Sequence, residues 1–271
     1  MPELPEVETI ANGVNERVRG ARIASVWTSG KPQTFKSAAV EIEEVLTGAT
    51  IDRVRRVGKT IVVTLEKESD GGAPAEFLVH LGMTGRLLVA EGDVPLPPHT
   101  HAVLSLEDGR EVRFVDPRRF GRLSVVREAY LGPGAEPTTI GVDEFAALFK
   151  GRKLAIKAAL LNQSLLHGVG NIYADEALFR AAIRPTRQAG RLTRGELATL
   201  RESLMAVLRR AIKLGGSSVS DYVDAEGMRG YFQIEHKVYG HGSDPCTVCG
   251  TAIKKIVVGG RGTHYCPKCQ R

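Results

Sequence analysis

All four cysteines of this 271-residue chain fall in its last 26 positions, at 246, 249, 266 and 269. They form CTVC and CPKC with sixteen residues between, a C-x2-C-x16-C-x2-C pattern. Disulfide frameworks belong to small secreted domains and spread their cysteines through them. Two closely spaced pairs at this distance have instead the spacing of a four-thiolate zinc site. With Cys246, Cys249, Cys266 and Cys269 as ligands the tetrahedron is closed, so one structural Zn2+ is expected. The intervening IKKIVVGGRGTHY reads as two short strands and a turn. A ribbon of this kind names no function, because such modules also bind proteins.

The rest of the chain separates by periodicity. Val7, Ala11, Val14 and Val18 recur at helical spacing, with Glu3, Glu6 and Glu8 where a helix N-terminus favours acid, predicting a helix over 3–19. From about 21 to 127 short β-rich segments follow (ARIASVWT, TIVVTLE, EFLVHL, RLLVA, HAVLSLE, EVRFV), parted by turn residues, as in a sandwich or flattened barrel. Residues 131–139 read as a linker, and helical patterns cover 143–149, 152–163, 172–182 and 193–213. The Gly-rich, polar stretch 215–231 reads as a mobile loop. The expected fold is α+β: a helix plus β-sandwich domain over 1–131, a linker over 132–142, a helical domain over 143–234 carrying the 215–231 loop, and the ribbon over 235–271.

Charge adds a hint about the partner. Residues 151–271 hold 19 Lys and Arg against 9 Asp and Glu, whereas 1–150 hold 18 against 22. A basic second half suits a polyanion such as nucleic acid, although charge alone does not decide it. No apolar run approaches the ~18 residues that span a bilayer, and MPELPEVETI lacks the charged and apolar regions of a signal peptide. A cytoplasmic protein is expected.

Pro2 allows two readings. With Pro5 it can simply start a helix. Alternatively, removal of Met1 ahead of a small residue leaves a secondary amine, which can attack a sugar C1′ and give an iminium directly. An α-amino group has a reference pKa of about 8, so part of it is unprotonated near neutrality.

The motifs MPELPEVET, HLGM at 80–83, DPRRFG at 116–121, GVGNIYADE at 168–176 and the terminal ribbon occur in one order along essentially the whole chain. In this the sequence resembles the formamidopyrimidine-DNA glycosylases of the Fpg/Nei family. The resemblance implies a β-sandwich with the N-terminal helix against it, a helix-two-turn-helix domain and a zinc ribbon. It implies a bifunctional DNA glycosylase and abasic-site lyase that removes oxidised purines from double-stranded DNA, as a monomeric bacterial enzyme acting on the nucleoid.

On that resemblance Pro2 is the Schiff-base nucleophile and Glu3 its acid/base partner. Glu6, one turn on, either contributes or is only a helix N-terminal acid. Lys59 matches the lysine beside the reacting sugar; the family context is more often RRGK or RRAK, so Val57 is a minor departure. Arg261 matches the arginine that grips the phosphate next to the lesion and serves the second elimination, and its guanidinium can bind phosphate bidentately. His80, His99, Arg118, Arg152, Asn171 and Tyr239 match DNA contacts. Asn171 also stands where HGVGN leads into a helix, whose first N–H groups suit phosphate.

A glycosylase reaches C1′ only after extruding the nucleotide. Met83, Arg118 and Phe120 match the residues that fill the resulting gap; core packing is the alternative for Met83 and Phe120. The 215–231 loop matches the lesion reader, with Ser217, Val219, Ser220, Asp221 and Tyr222 around the flipped base. Two other readings remain: an endonuclease VIII-type enzyme for oxidised pyrimidines, and a DNA-binding protein that keeps only the scaffold.

Overall fold

The structure, a computed structural model, describes residues 1–67, 75–218, 224–225 and 227–271. They fall into two units: Met1–Leu131 with Gly215–Tyr231, and Gly132–Leu214 with Phe232–Arg271. The 215–231 stretch thus groups with the strand-rich unit, whereas its place in the sequence suggested the helical one.

The first unit begins with helix α1 (Leu4–Val18). Val7, Ile10, Ala11, Val14 and Val18 are buried along one stripe, and each of the larger ones contributes about 1.5–3 kcal/mol over an exposed position. Its first turn is closed by a reciprocal box between Glu3 and Glu6, in which Glu3 N–H donates to Glu6 Oε2 at 2.8 Å. The helix packs on strands β2 (Thr50–Val57), β3 (Thr60–Glu66) and β5 (Arg86–Glu91).

Among the described residues of this unit, eight strands make two antiparallel four-stranded sheets. One has the order β1 (Ile23–Thr28), β6 (Thr100–Leu106), β7 (Arg110–Val115), β5. The other runs β2, β3, β4 (Ala75–His80), β8 (Arg122–Val126). The core between them includes Ile61, Val63 and Leu65 of β3 with Phe77 and Val79 of β4. Val62 and Leu78 face the other way, under Val126 and Tyr130. Both central strands are therefore buried on both sides, which explains their continuous apolar runs.

Three elements of this unit lie within the stretch read as purely β-rich or as motif. Helix α2 (Ala39–Leu46) buries only Ile42, Val45 and Leu46 and is too short to give a clear period. Strand β2 carries four charges, and its register shifts between Ile51 and Arg53, which breaks the alternation. Its arginines find tertiary partners: Arg56 Nε lies 2.5 Å from Glu8, and Arg55 lies 2.8 Å from Glu76. Strand β8 starts directly after the DPRRFG turn.

The second unit contains α3 (Val142–Phe149), α4 (Ile156–Leu160), α5 (Asn171–Arg180) and α6 (Arg194–Lys213). The helix expected over 152–163 is confined to α4. Beyond it polar side chains take over the backbone: Ser164 N–H donates to Asn162 Oδ1 at 3.0 Å and Gly168 N–H to Gln163 Oε1 at 2.9 Å. Gln163 Nε2 donates to the carbonyls of Leu161 and Val169, so one side chain holds both turns between α4 and α5. The stretch 132–142 is part of this unit, with Ala135 bridged to Leu166. The chain ends in the expected hairpin, β9 (Lys254–Val258) paired with β10 (Arg261–Tyr265).

Candidate active site and metal centre

In the first unit the start of α1 is buried at Pro2, Glu3 and Glu6. Glu6 holds two segments at once. Its Oε2 accepts the Glu3 amide, and its Oε1 accepts the Ser217 amide at 2.7 Å. Gly216 allows that approach: it has φ +79°, and a Cβ there would sit 2.8 Å from Glu6 Oε1. The first residues of the 215–231 segment are thereby tied to the N-terminal turn. Val219, Ser220, Asp221 and Tyr222 lie outside the described residues.

Lys59 occupies the turn between β2 and β3, half-buried. Strand register places Thr60 opposite His80, and His80 opposite Arg122, so Lys59, His80 and Arg122 gather at one end of this sheet. Burial first, then the charges of Lys59 and Arg122, push the His80 imidazole below its usual range. His80 Nδ1 accepts the Gly82 amide at 3.1 Å, so the neutral ring carries its proton on Nε2 and keeps that N–H as a donor.

Met83 and Phe120 are 43% and 46% exposed, which excludes core packing for both. The Arg118 guanidinium lies 4.7 Å from the centroid of the Phe120 ring. The turns bearing them touch: Gly82 has φ +62°, and a Cβ there would lie 2.5 Å from the Phe120 carbonyl carbon. Only glycine fits both constraints. His99 is exposed in a left-handed conformation, φ 66°.

In the second unit Asn171 opens α5 and donates through Nδ2 to Gly262 O at 3.0 Å, while its Oδ1 is buried without a hydrogen bond among the described residues. Arg261 is exposed at the hairpin turn, after Gly259 and Gly260. The hairpin is anchored by Lys157, whose Nζ donates to Gly262 O at 3.0 Å and Thr263 Oγ1 at 2.8 Å and lies 2.6 Å from Asp175 Oδ1. Both side chains of this ion pair are fully buried, and Asp175 Oδ2 accepts the His264 amide at 2.9 Å. Tyr239 is half-buried; its amide and those of Lys237 and Val238 all donate to the Glu176 carboxylate at 2.8–3.0 Å. Arg152 is exposed, with Nε donating to Leu148 O at 2.6 Å.

The four cysteine sulfurs lie within 4.8 Å of one another. The Cys246–Cys269 and Cys249–Cys266 sulfur separations are 3.9 and 3.4 Å. A tetrahedral ion with Zn–S bonds of about 2.3 Å requires sulfurs about 3.8 Å apart, so the cluster fits one zinc. Gln270, fully buried, accepts the Cys266 amide and donates to Ile183 O, fastening the cluster to the segment that follows α5.

The residues missed by the sequence patterns are the anchors: Lys157, Asp175, Glu176 and Asp116. The last three lie inside recognised motifs, but their roles depend on partners far away in the chain. Lys157 carries no local signal at all.

Three family models match the chain: formamidopyrimidine-DNA glycosylase N-terminal domain over 1–123, formamidopyrimidine-DNA glycosylase H2TH domain over 131–223, and zinc finger found in FPG and IleRS over 243–271. The chain is 43% identical over 279 residues to the formamidopyrimidine-DNA glycosylase of Thioalkalivibrio sulfidiphilus, with all of both chains covered. Its fold is similar to a Lactococcus lactis FPG mutant in complex with Fapy-dG containing DNA, with TM-score 0.90, 33% identity and full coverage of both chains. It is also similar to the wild-type Lactococcus lactis enzyme in complex with oxidised-pyrimidine-containing DNA, with TM-score 0.87, 33% identity and full coverage of both.

Proposed function

The chain belongs to the formamidopyrimidine-DNA glycosylase family, and on that premise we propose that it is a bifunctional glycosylase and abasic-site lyase that removes 8-oxoguanine and formamidopyrimidines from duplex DNA. The observation that carries this reading is the fixed start of α1, where Pro2 precedes a buried Glu3 whose amide is held by Glu6.

Loss of Met1 frees the prolyl nitrogen. Its lone pair attacks C1′, the glycosidic bond breaks toward the base, and the departing base takes up a proton. Glu3 supplies protons for this step and for opening of the sugar ring. The resulting iminium acidifies C2′, so β-elimination expels the 3′ phosphate and δ-elimination then expels the 5′ phosphate. Lys59 holds phosphate beside the reacting sugar and moves protons during elimination. His80, neutral with its Nε2–H available, donates to phosphate without adding charge. Arg261 grips the phosphate next to the lesion and serves the second elimination, while Asn171, Tyr239, Arg152 and His99 hold other backbone phosphates. Zinc, held by the four cysteines, stiffens the hairpin that presents Arg261. Met83, Arg118 and Phe120 enter the stack, and Ser217 with residues 219–222 reads the extruded base. The enzyme acts as a monomer on chromosomal DNA in the cytoplasm.

Sodium borohydride trapping on an 8-oxoguanine duplex tests the chemistry. A covalent adduct through Pro2 is expected from protein lacking Met1, with excision weakened by Pro2→Gly and abolished by Glu3→Gln while duplex binding persists. Undiminished excision by Glu3→Gln, or by protein retaining Met1, contradicts the mechanism. The oxidised-pyrimidine complex of the similar Lactococcus lactis enzyme motivates a second comparison: faster release of thymine glycol than of 8-oxoguanine from matched duplexes favours the endonuclease VIII-type reading.

A further inference from the structure

Asp116 is completely buried, and its carboxylate accepts from a hydroxyl and two backbone amides, all uncharged donors. Its Oδ1 accepts the Thr84 hydroxyl at 2.6 Å and the Arg118 amide at 3.3 Å. Its Oδ2 accepts the Gly121 amide at 2.8 Å. Its own amide donates to His99 O at 3.0 Å, and its carbonyl accepts from His101 Nε2 at 3.1 Å. That last bond puts the His101 proton on Nε2, leaving Nδ1 to accept from Ser29 Oγ at 3.0 Å. One residue therefore ties together three turns: the one bearing Met83, the one bearing Arg118 and Phe120, and the one bearing His99.

We infer that Asp116 is the positioning residue that makes these turns a single rigid wedge for opening duplex DNA, an inference that rests on the proposed gap-filling role of Met83, Arg118 and Phe120. An exposed thioether and an exposed ring can unstack a base step only if their supports do not yield. The shared carboxylate supplies that support, because short hydrogen bonds to a buried anion are stronger than neutral ones. Without it, Thr84 and Gly121 lose their common acceptor, and the Met83 turn can move independently of the Phe120 turn. Asp116 touches no reacting atom; it acts through the wedge. Its effect should therefore appear where a base must be unstacked and be small where no base remains.

The test uses the full chain and duplexes with 2-aminopurine beside the lesion, whose fluorescence rises on unstacking. Asp116→Asn and Thr84→Val are expected to slow both that rise and single-turnover excision of 8-oxoguanine by about tenfold, the effect of losing one charge-assisted hydrogen bond. Cleavage of a preformed abasic site is expected to change less than about twofold, since only the cost of base unstacking is at issue. Thr84→Ser is expected to restore the wild-type rise. Equal losses on both substrates, or an unchanged fluorescence rise in the Thr84→Val protein, overturns the inference. Phe120→Ala separates the premise from the inference. If it leaves the rise intact, the wedge itself is refuted, and the role of Asp116 with it. If it abolishes the rise while Asp116→Asn does not, only the role of Asp116 is refuted.

Discussion

Replacing Lys157 with methionine removes the cation from a fully buried pair while nearly preserving volume. The contacts to Asp175 Oδ1, Gly262 O and Thr263 Oγ1 disappear. Gly262 O retains the Asn171 amide group, and Asp175 Oδ2 retains the His264 amide. Asp175 Oδ1 is left as a buried anionic oxygen without its cation, and breaking a buried pair from one side costs about 3–5 kcal/mol. With a urea m-value of about 2 kcal/mol/M, the second unit's midpoint should fall by roughly 2 M. Far-UV circular dichroism is the suitable probe, because α3 to α6 all lie in that unit, whereas the single tryptophan, Trp27, lies in β1 of the other. Lys157→Met combined with Asp175→Leu should recover most of the loss, since an apolar pair carries no stranded charge. A midpoint shift below about 0.5 M for Lys157→Met would mean that the pair contributes little, and the anchoring of the Arg261 hairpin would need another explanation.

Two further outcomes follow from the geometry. Stripping the metal, or Cys269→Ser, should remove one zinc per chain by elemental analysis and abolish duplex binding, while Trp27 fluorescence in the first unit stays native; metal-free protein that binds and excises normally contradicts the scaffold role. His80, whose folded pKa is lowered by burial and by the charges of Lys59 and Arg122, should be less protonated at pH 6.5 than an ordinary imidazole, with its neutral form showing the NMR pattern of an Nε2–H ring. Because the folded state holds that proton less tightly than the unfolded state, His80 contributes stability that is present above about pH 6.5 and is lost as the pH falls through its lowered pKa. An NMR midpoint at or above 6.5 would refute this, and His80→Asn should flatten that part of the pH–stability curve.

What the sequence determined by itself was whatever depends on spacing along the chain. Two C-x2-C pairs fix a metal knuckle pair, the Val7–Val18 stripe fixes α1, and runs such as TIVVTLE fix central strands, because each pattern is realised within a few residues or one hairpin. The order of the motifs fixed the family in the same way. The tertiary structure decided the features that join distant segments. Nothing near Lys157 announces Asp175, nothing in DPRRFG announces that its aspartate will accept the Thr84 hydroxyl, and nothing around Gly216 announces Glu6. It also decided exposure: Met83 and Phe120 have core-like side chains, yet they lie 43% and 46% exposed on turns that touch where Gly82 meets the Phe120 backbone. Periodicity reports which face of an element is apolar. Which partners meet a buried charge, and which apolar groups are left in water, depends on how the sheets and helices pack, and that is a property of the whole fold.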